Sequence, residues 1–244
     1  VLGKFLELSI ATPNVRASLD FYRQLGFSEA GVGEAWEHPY AVVTDGRLCL
    51  GLHQNPEFEP SVTFVKPDLL KHLEALELMG IEPGFRRLAG DVFNQIGWSD
   101  PSGHLIRLVE ARTFSPVKRR VTEESLCGYF LEIALPAPSR ESAKSHWEQF
   151  GFVGMDEPDA ALPHLTCTSD TIDVGFYDPI HLREPALVFE VEYFDAAMRG
   201  LAAAGVTPAG RVPSPLRHAR AAVLVAPEGT SLLLIGKPGE PEAV

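Results

Sequence analysis

Two carboxylates, Glu7 and Glu132, sit inside short apolar segments, FLELSIA and FLEIALP, and a carboxylate held in such a setting can serve as a general base. They are the candidate catalytic residues. The other chemistry-bearing residues form no standard constellation. None of the eight histidines shows the HExxH spacing of a helical zinc motif. His53 ends an apolar run, while His38 and His104 lie in or beside turns, so a non-standard metal site stays open. The three cysteines, Cys49, Cys127 and Cys167, are odd in number and lack CxxC spacing, which argues against a disulfide framework and a thiolate zinc site. No Ser-His-Asp order, glycine-rich phosphate loop or nucleophilic cysteine context occurs.

The elements that must position these groups are organised by a repeat. Residues 6–27, LELSIATPNVRASLDFYRQLGF, align without a gap to residues 131–152, LEIALPAPSRESAKSHWEQFGF, so that Glu7 meets Glu132 and Gly26 meets Gly151. The same offset brings EPSVTF at 59–64 onto EPALVF at 184–189. One inserted residue later, Pro101, Gly103 and Leu108 meet Pro227, Gly229 and Leu234. A weaker repeat divides each half again. Residues 5–11, 61–66, 129–135 and 186–192 read as strands, each followed by a helix of ten to thirteen residues and then three short strands. Asn14, Asp68 and Ser139 are expected to cap helices, and Gly26, Gly80, Gly151 and Gly205 to end them in left-handed turns.

Composition bounds the function classes. The 21 basic and 33 acidic residues leave a net charge of −12, which repels nucleic acid and anionic membrane. The acidity either favours a cationic small ligand or simply maintains solubility. No apolar run approaches the ~20 residues a bilayer needs, and the first residues lack the pattern of a secretion signal, so a cytoplasmic protein is expected.

An apolar strand, a helix carrying Phe21-Tyr22 and Leu25-Gly26-Phe27, and strands closing on Asp100-Pro101-Ser102-Gly103 resemble the vicinal oxygen chelate superfamily of glyoxalases, bleomycin-resistance proteins and extradiol dioxygenases. The second half keeps Trp147 with Phe150-Gly151-Phe152, and Ala226-Pro227-Glu228-Gly229. The resemblance implies an α+β fold of four βαβββ modules, paired into two glyoxalase-like domains with incompletely closed, cleft-forming sheets. The first domain would span 1–112 (modules 5–54 and 60–112) and the second 127–236 (modules 129–178 and 185–236), with a linker at 113–126 and a tail at 237–244.

It also implies a divalent metal held by the first and last strands of each module. The first-strand positions map onto Glu7 and Glu132, and onto Ser61 and Ala186 in the even-numbered modules. The last-strand positions map onto Arg107 and Leu233, and near Leu50 and Val174. Arginine carries no lone pair for a metal, so only Glu7 and Glu132 remain as ligand-position residues and no cofactor is expected. Glu7 and Arg107 are expected to form an ion pair instead. Glu132, facing Leu233, needs another partner, for which Arg183, Arg217 and Arg220 are candidates. The ligand-binding cleft is expected to include Glu7, Ser61, Arg107, Glu132, Trp36, His53 and Trp98, with Phe93 a further aromatic lining or core residue.

Two functions follow from these expectations. One is a metal-free protein, monomeric or dimeric, that binds or sequesters a small organic molecule. The alternative is an enzyme, a glyoxalase-type lyase or extradiol-type dioxygenase, using unorthodox metal ligands such as Glu7, His53 and Glu110, or a cleft carboxylate as base.

Overall fold

Alternating apolar residues in short runs, separated by glycine and proline, produce two mixed sheets backed by helices in the computed structural model. Residues 2–31, 36–88, 94–111 and 125–237 are described; Phe93 and nearly all of the expected linker and tail lie outside them. The first half runs β1 (Lys4–Ala11), α1 (Val15–Gln24), β2 (Ser28–Ala30), β3 (Tyr40–Thr44), β4 (Cys49–His53) and β5 (Ser61–Lys66). It continues through a 3-10 turn (Leu69–His72), α2 (Leu73–Leu78), β6 (Phe85–Arg87), β7 (Gln95–Ser99) and β8 (Leu105–Glu110). The second half comprises β9 (Tyr129–Pro136), α3 (Arg140–Glu148), β10 (Val153–Glu157), β11 (His164–Thr168), β12 (Asp173–Tyr177), β13 (Ala186–Val191) and α4 (Phe194–Ala203). A 3-10 turn (Ser214–His218), β14 (Ala221–Val225) and β15 (Ser231–Gly236) complete it.

The first sheet has the order β2-β3-β4-β1-β5-β8-β7-β6 and the second β10-β11-β12-β9-β13-β15-β14, so neither closes into a barrel. In each, the two module-opening strands pair antiparallel at the centre, flanked by a parallel strand on either side. The four expected opening strands are thus present. The fourth module departs from the expected pattern, with a 3-10 turn and two strands where three strands were anticipated. Pro208, Pro213 and Pro215 account for it, since proline supplies no N–H to a ladder.

Helix ends follow local chemistry. Asn14 accepts from the Ala17 N–H and Ser139 from the Ser142 N–H, each satisfying a free donor of the first turn. Asp68 does not cap: it adopts a left-handed conformation (φ 52°), and its carboxylate pairs with Lys71. The 3-10 turn it precedes leaves α2 only six residues long, shorter than anticipated.

One face of each sheet joins a core shared by the two halves, in which Phe64 meets Phe152 and Trp98 meets Phe150 at ring-centroid distances of 6.3 and 5.5 Å. The opposite face of each sheet, its cleft face by the resemblance, carries Glu7 in the first half and Glu132 in the second. No helix among the described residues is long and apolar enough to cross a membrane.

Candidate ligand site

A β-bulge aims the carboxylate of each half. Register shifts between Phe5 and Glu7 opposite Phe64 and Thr63, so Leu6 is the extra residue; the second sheet carries the same shift around Leu131, just before Glu132. Glu7 and Glu132 consequently turn away from the shared core, and both are almost completely buried. Space for them is made by glycine on the neighbouring strand: a Cβ at Gly51 or Gly175 would lie 2.1 Å from the carboxylate. These glycines, rather than Leu50 and Val174, face the clefts. Leu50 and Val174 alternate to the other side and pack in the core.

In the first half Glu7 Oε1 accepts from Ser9 Oγ at 2.7 Å and lies 3.0 Å from His53 Nε2, while Tyr40 donates to Oε2. His53 Nδ1 stands 2.9 Å from Nε2 of half-buried His38. With a neutral His53 ring protonated on Nε2, His38 donates to Nδ1, giving a carboxylate-His-His chain that leads outward from Glu7. Burial lowers the pKa of His53 against the pull of Glu7, and burial with the Glu7 charge raises that of Tyr40.

The expected ion pair between Glu7 and Arg107 does not form. Arg107 Nε donates to Ser61 Oγ at 3.1 Å and Nη1 to Gln95 Oε1 at 2.8 Å. Three hydroxyls connect the charges instead. Ser61 Oγ lies 3.1 Å from Thr63 Oγ1, which lies 2.8 Å from Ser9 Oγ, the group that donates to Glu7. Each hydroxyl donates once and accepts once, so the wire has one direction, from guanidinium to carboxylate. Burial lowers the Arg107 pKa to about 10, which leaves it protonated at neutral pH.

Phe58 and Phe85 flank the guanidinium, with Cζ 4.6 and 4.8 Å from their ring centroids. Phe58 also stacks on His53 at 3.8 Å with an interplanar angle of 6°. Trp36 meets His53 and Phe58 edge-on at 4.8 and 5.6 Å.

The second half keeps the carboxylate cluster and loses the wire. Tyr177 donates to Glu132 Oε1, Thr166 donates to Oε2 at 2.9 Å, and His164 Nε2 lies 3.2 Å from Oε1. Histidine and tyrosine have exchanged strands, for β4 ends in His53 beside Tyr40 of β3 whereas β12 ends in Tyr177 beside His164 of β11. The partner of Glu132 is therefore His164, and not one of the arginines at 183, 217 or 220. Burial opposes protonation of His164, but its hydrogen bond to Glu132 and the charge of that group outweigh it and raise the pKa. At the positions of Ser9, Ser61, Thr63 and Arg107 stand Ala134, Ala186, Val188 and Leu233. Leu162, Leu182 and Leu216 pack with them and fill the second cleft.

Of the anticipated cleft residues, Glu7, Ser61, Arg107, His53 and Trp36 come together and Glu132 occupies the other half. Trp98 does not belong to the cleft. Gly97 faces it, so Trp98 alternates to the other side and packs between the halves against Phe150. Glu110 lies elsewhere too, its carboxylate accepting from the Leu69 N–H and from Asn94. Tyr40, Phe58, Phe85, Gln95, His164 and Tyr177 escaped the sequence reading. One signal was available: tyrosine and histidine trade places between YAVVT and HLTCT and between CLGLH and DVGFY.

The residues do not fit the metal the fold implies. The first cleft presents Glu7, Gly51, Ser61 and Arg107 at its ligand positions, a single carboxylate whose oxygens already have donors, facing a guanidinium. Among the described residues no group of three or more His, Cys, Asp or Glu side chains is placed to hold a metal ion.

No protein-family model matches the sequence, and no curated protein is similar to it in sequence. Solved structures share the fold across nearly the whole chain. A catechol 2,3-dioxygenase superposes with a TM-score of 0.61 at 14% identity, covering 100% of this chain and 92% of that one. A homoprotocatechuate 2,3-dioxygenase variant from Brevibacterium fuscum gives 0.63 at 15%, covering 99% and 74%. The enzyme of that name from Arthrobacter globiformis gives 0.61 at 14%, covering 99% and 82%.

Proposed function

We propose that this chain, which has the two-domain vicinal oxygen chelate fold of the extradiol dioxygenases, binds a small organic ligand in its first-half cleft. Arg107, rather than a metal ion, is the cation of that site, and the second half serves as scaffold. The observation that carries this reading is the Arg107-Ser61-Thr63-Ser9-Glu7 wire, whose first four members are replaced together by apolar residues in the second half. A buried ionic network is costly to desolvate, and apolar residues of similar volume often stabilise a fold as well or better. Stability alone thus gives no reason to keep the wire in one half. The net charge of −12 supports a small-molecule partner over nucleic acid or an anionic membrane, and a soluble protein.

The test is a thermal-shift screen with aromatic acids, lipophilic cations and cationic glycopeptides. Stabilisation by one of these classes is expected in the wild type and in Glu132→Gln, and not in Arg107→Met. Silence across the panel, or stabilisation that Arg107→Met retains and Glu132→Gln removes, contradicts the assignment.

The Glu7-His53-His38 chain favours a second reading, a metal-free acid-base enzyme of the glyoxalase type with Glu7 as base. Under it Glu7→Gln abolishes turnover, and unchanged turnover excludes Glu7 as the base. Ring cleavage, the reaction in the names of the structural neighbours, is not carried over, because Gly51, Ser61 and Arg107 stand where metal ligands are expected.

A further inference from the structure

Phe58 is a buried aromatic side chain in an otherwise solvent-facing loop. Gln54, Pro56, Glu57, Glu59 and Pro60 around it are exposed, and its ring enters the first cleft. The second half has a counterpart in Leu182, which likewise drops from the loop between β12 and β13 into its cleft. Their surroundings differ. Leu182 belongs to one apolar cluster with Leu162, Val188, Leu216 and Leu233. Phe58 lies between His53, parallel to it at 3.8 Å, and the Arg107 guanidinium, 4.6 Å from its centroid. The residue after it, Glu59, turns its backbone carbonyl to Arg107 Nη2 at 3.5 Å, the long limit of a hydrogen bond.

We propose that Phe58 and the Glu59 carbonyl occupy the place of the ligand, and that the cleft takes a flat conjugated carboxylate by exchanging it for this loop segment. The inference rests on the reading of the first cleft as a ligand site and specifies its ligand. Ring replaces ring in the slot between His53 and Arg107, and a carboxylate oxygen replaces the carbonyl on Nη2. The exchange improves the polar contact, because a charged acceptor bonds a guanidinium more strongly than a neutral carbonyl at the limit of reach. Ser61 and Gln95 already hold Nε and Nη1, so the cation is oriented before the ligand arrives. Both contacts of the plug leave together, since Phe58 and Glu59 are consecutive. The local cation Arg107, rather than the overall acidity, then sets the charge the ligand must carry.

The experiment compares benzoate with toluene, a neutral ring of similar shape, by calorimetric titration of the wild type, Phe58→Ala and Phe58→Ala/Arg107→Met. Phe58→Ala is expected to bind benzoate about tenfold or more tighter than the wild type and in preference to toluene, and Arg107→Met to abolish that preference. Toluene binding equal to or tighter than benzoate would reduce the site to an apolar cavity and overturn the exchange, while leaving a ligand cleft for neutral molecules. Absence of benzoate binding in Phe58→Ala overturns it as well. If Phe58→Ala fails to fold, the wild type and Arg107→Met are titrated instead at higher ligand concentration: benzoate bound in preference to toluene by the wild type alone is expected, and equal binding of the two, or none of benzoate, overturns the exchange.

Discussion

His53 and His164 are each bonded to a buried carboxylate, yet their environments move them in opposite directions. At His53 burial prevails and the pKa falls; at His164 the bond and charge of Glu132 prevail and it rises. An unfolded histidine titrates near pH ~6.5, so the linkage to stability has opposite signs. The raised His164 binds more protons folded than unfolded, and its contribution is fully present below that value and lost as pH rises through its folded pKa. The depressed His53 binds fewer, and its contribution is present above that value and lost as pH falls through its folded pKa. Urea midpoints across the histidine range check this. The stability advantage of the wild type over His164→Asn should shrink toward high pH, and its advantage over His53→Asn should shrink toward low pH. Parallel profiles for the two variants would show that the halves do not differ in this way. The sequence pointed to Glu7, Glu132 and Arg107 through the repeat and the resemblance, and put His53 and Ser61 beside them, but did not show the bonds that join these groups. Whether a buried arginine meets a carboxylate directly or through Ser61, Thr63 and Ser9 depends on side-chain direction, which spacing does not encode.

At the scale of the strand, the bulge and the facing glycine work together. The extra residue, Leu6 or Leu131, turns the next carboxylate inward, and Gly51 or Gly175 leaves the volume it fills. Ser9, His53 and Tyr40 hold Glu7 on both oxygens, so it has little freedom to move aside for a new methyl group. Gly51→Ala and Gly175→Ala are each expected to destabilise the protein by about 1–3 kcal/mol through overpacking. Gly31→Ala, where a Cβ meets nothing within 4 Å, should stay within about 0.5 kcal/mol of the wild type. Denaturant titration of the three variants checks both statements. The strands were legible because β-branched and aromatic runs end at glycine and proline, whereas their facing was not. Trp98 illustrates the difference: its strand is evident from IGWS before Asp100-Pro101, but a parity error of one residue moves a side chain between cleft and core. The lost strand of the fourth module shows how three prolines within eight residues override a repeat.

Across the whole molecule, each half supplies a carboxylate to the first helix of the other. Glu228 accepts from Ser18 and from Tyr22 of α1, both at 2.7 Å, and Asp100 accepts from Trp147 of α3 at 3.3 Å. Tyr22 and Trp147 are corresponding residues of the repeat and are fully buried in the common core. This reciprocal lock ties the second half, whose own cleft face is packed with leucine, to the core behind the first sheet. The β-turns that carry Asp100 and Glu228 were among the residues from which the fold was read in sequence. Under the proposed function, the local cation at Arg107 takes the place that a metal ion would hold in a metal-dependent protein of the same fold. Metal content measured by plasma mass spectrometry, on protein purified without tag or chelator and again after anaerobic incubation with ferrous and manganous ions and gel filtration, tests that assignment most directly. A content far below one equivalent in both samples is expected; about one equivalent of bound metal that Glu7→Gln releases would contradict the assignment of Arg107 as the cation of the site.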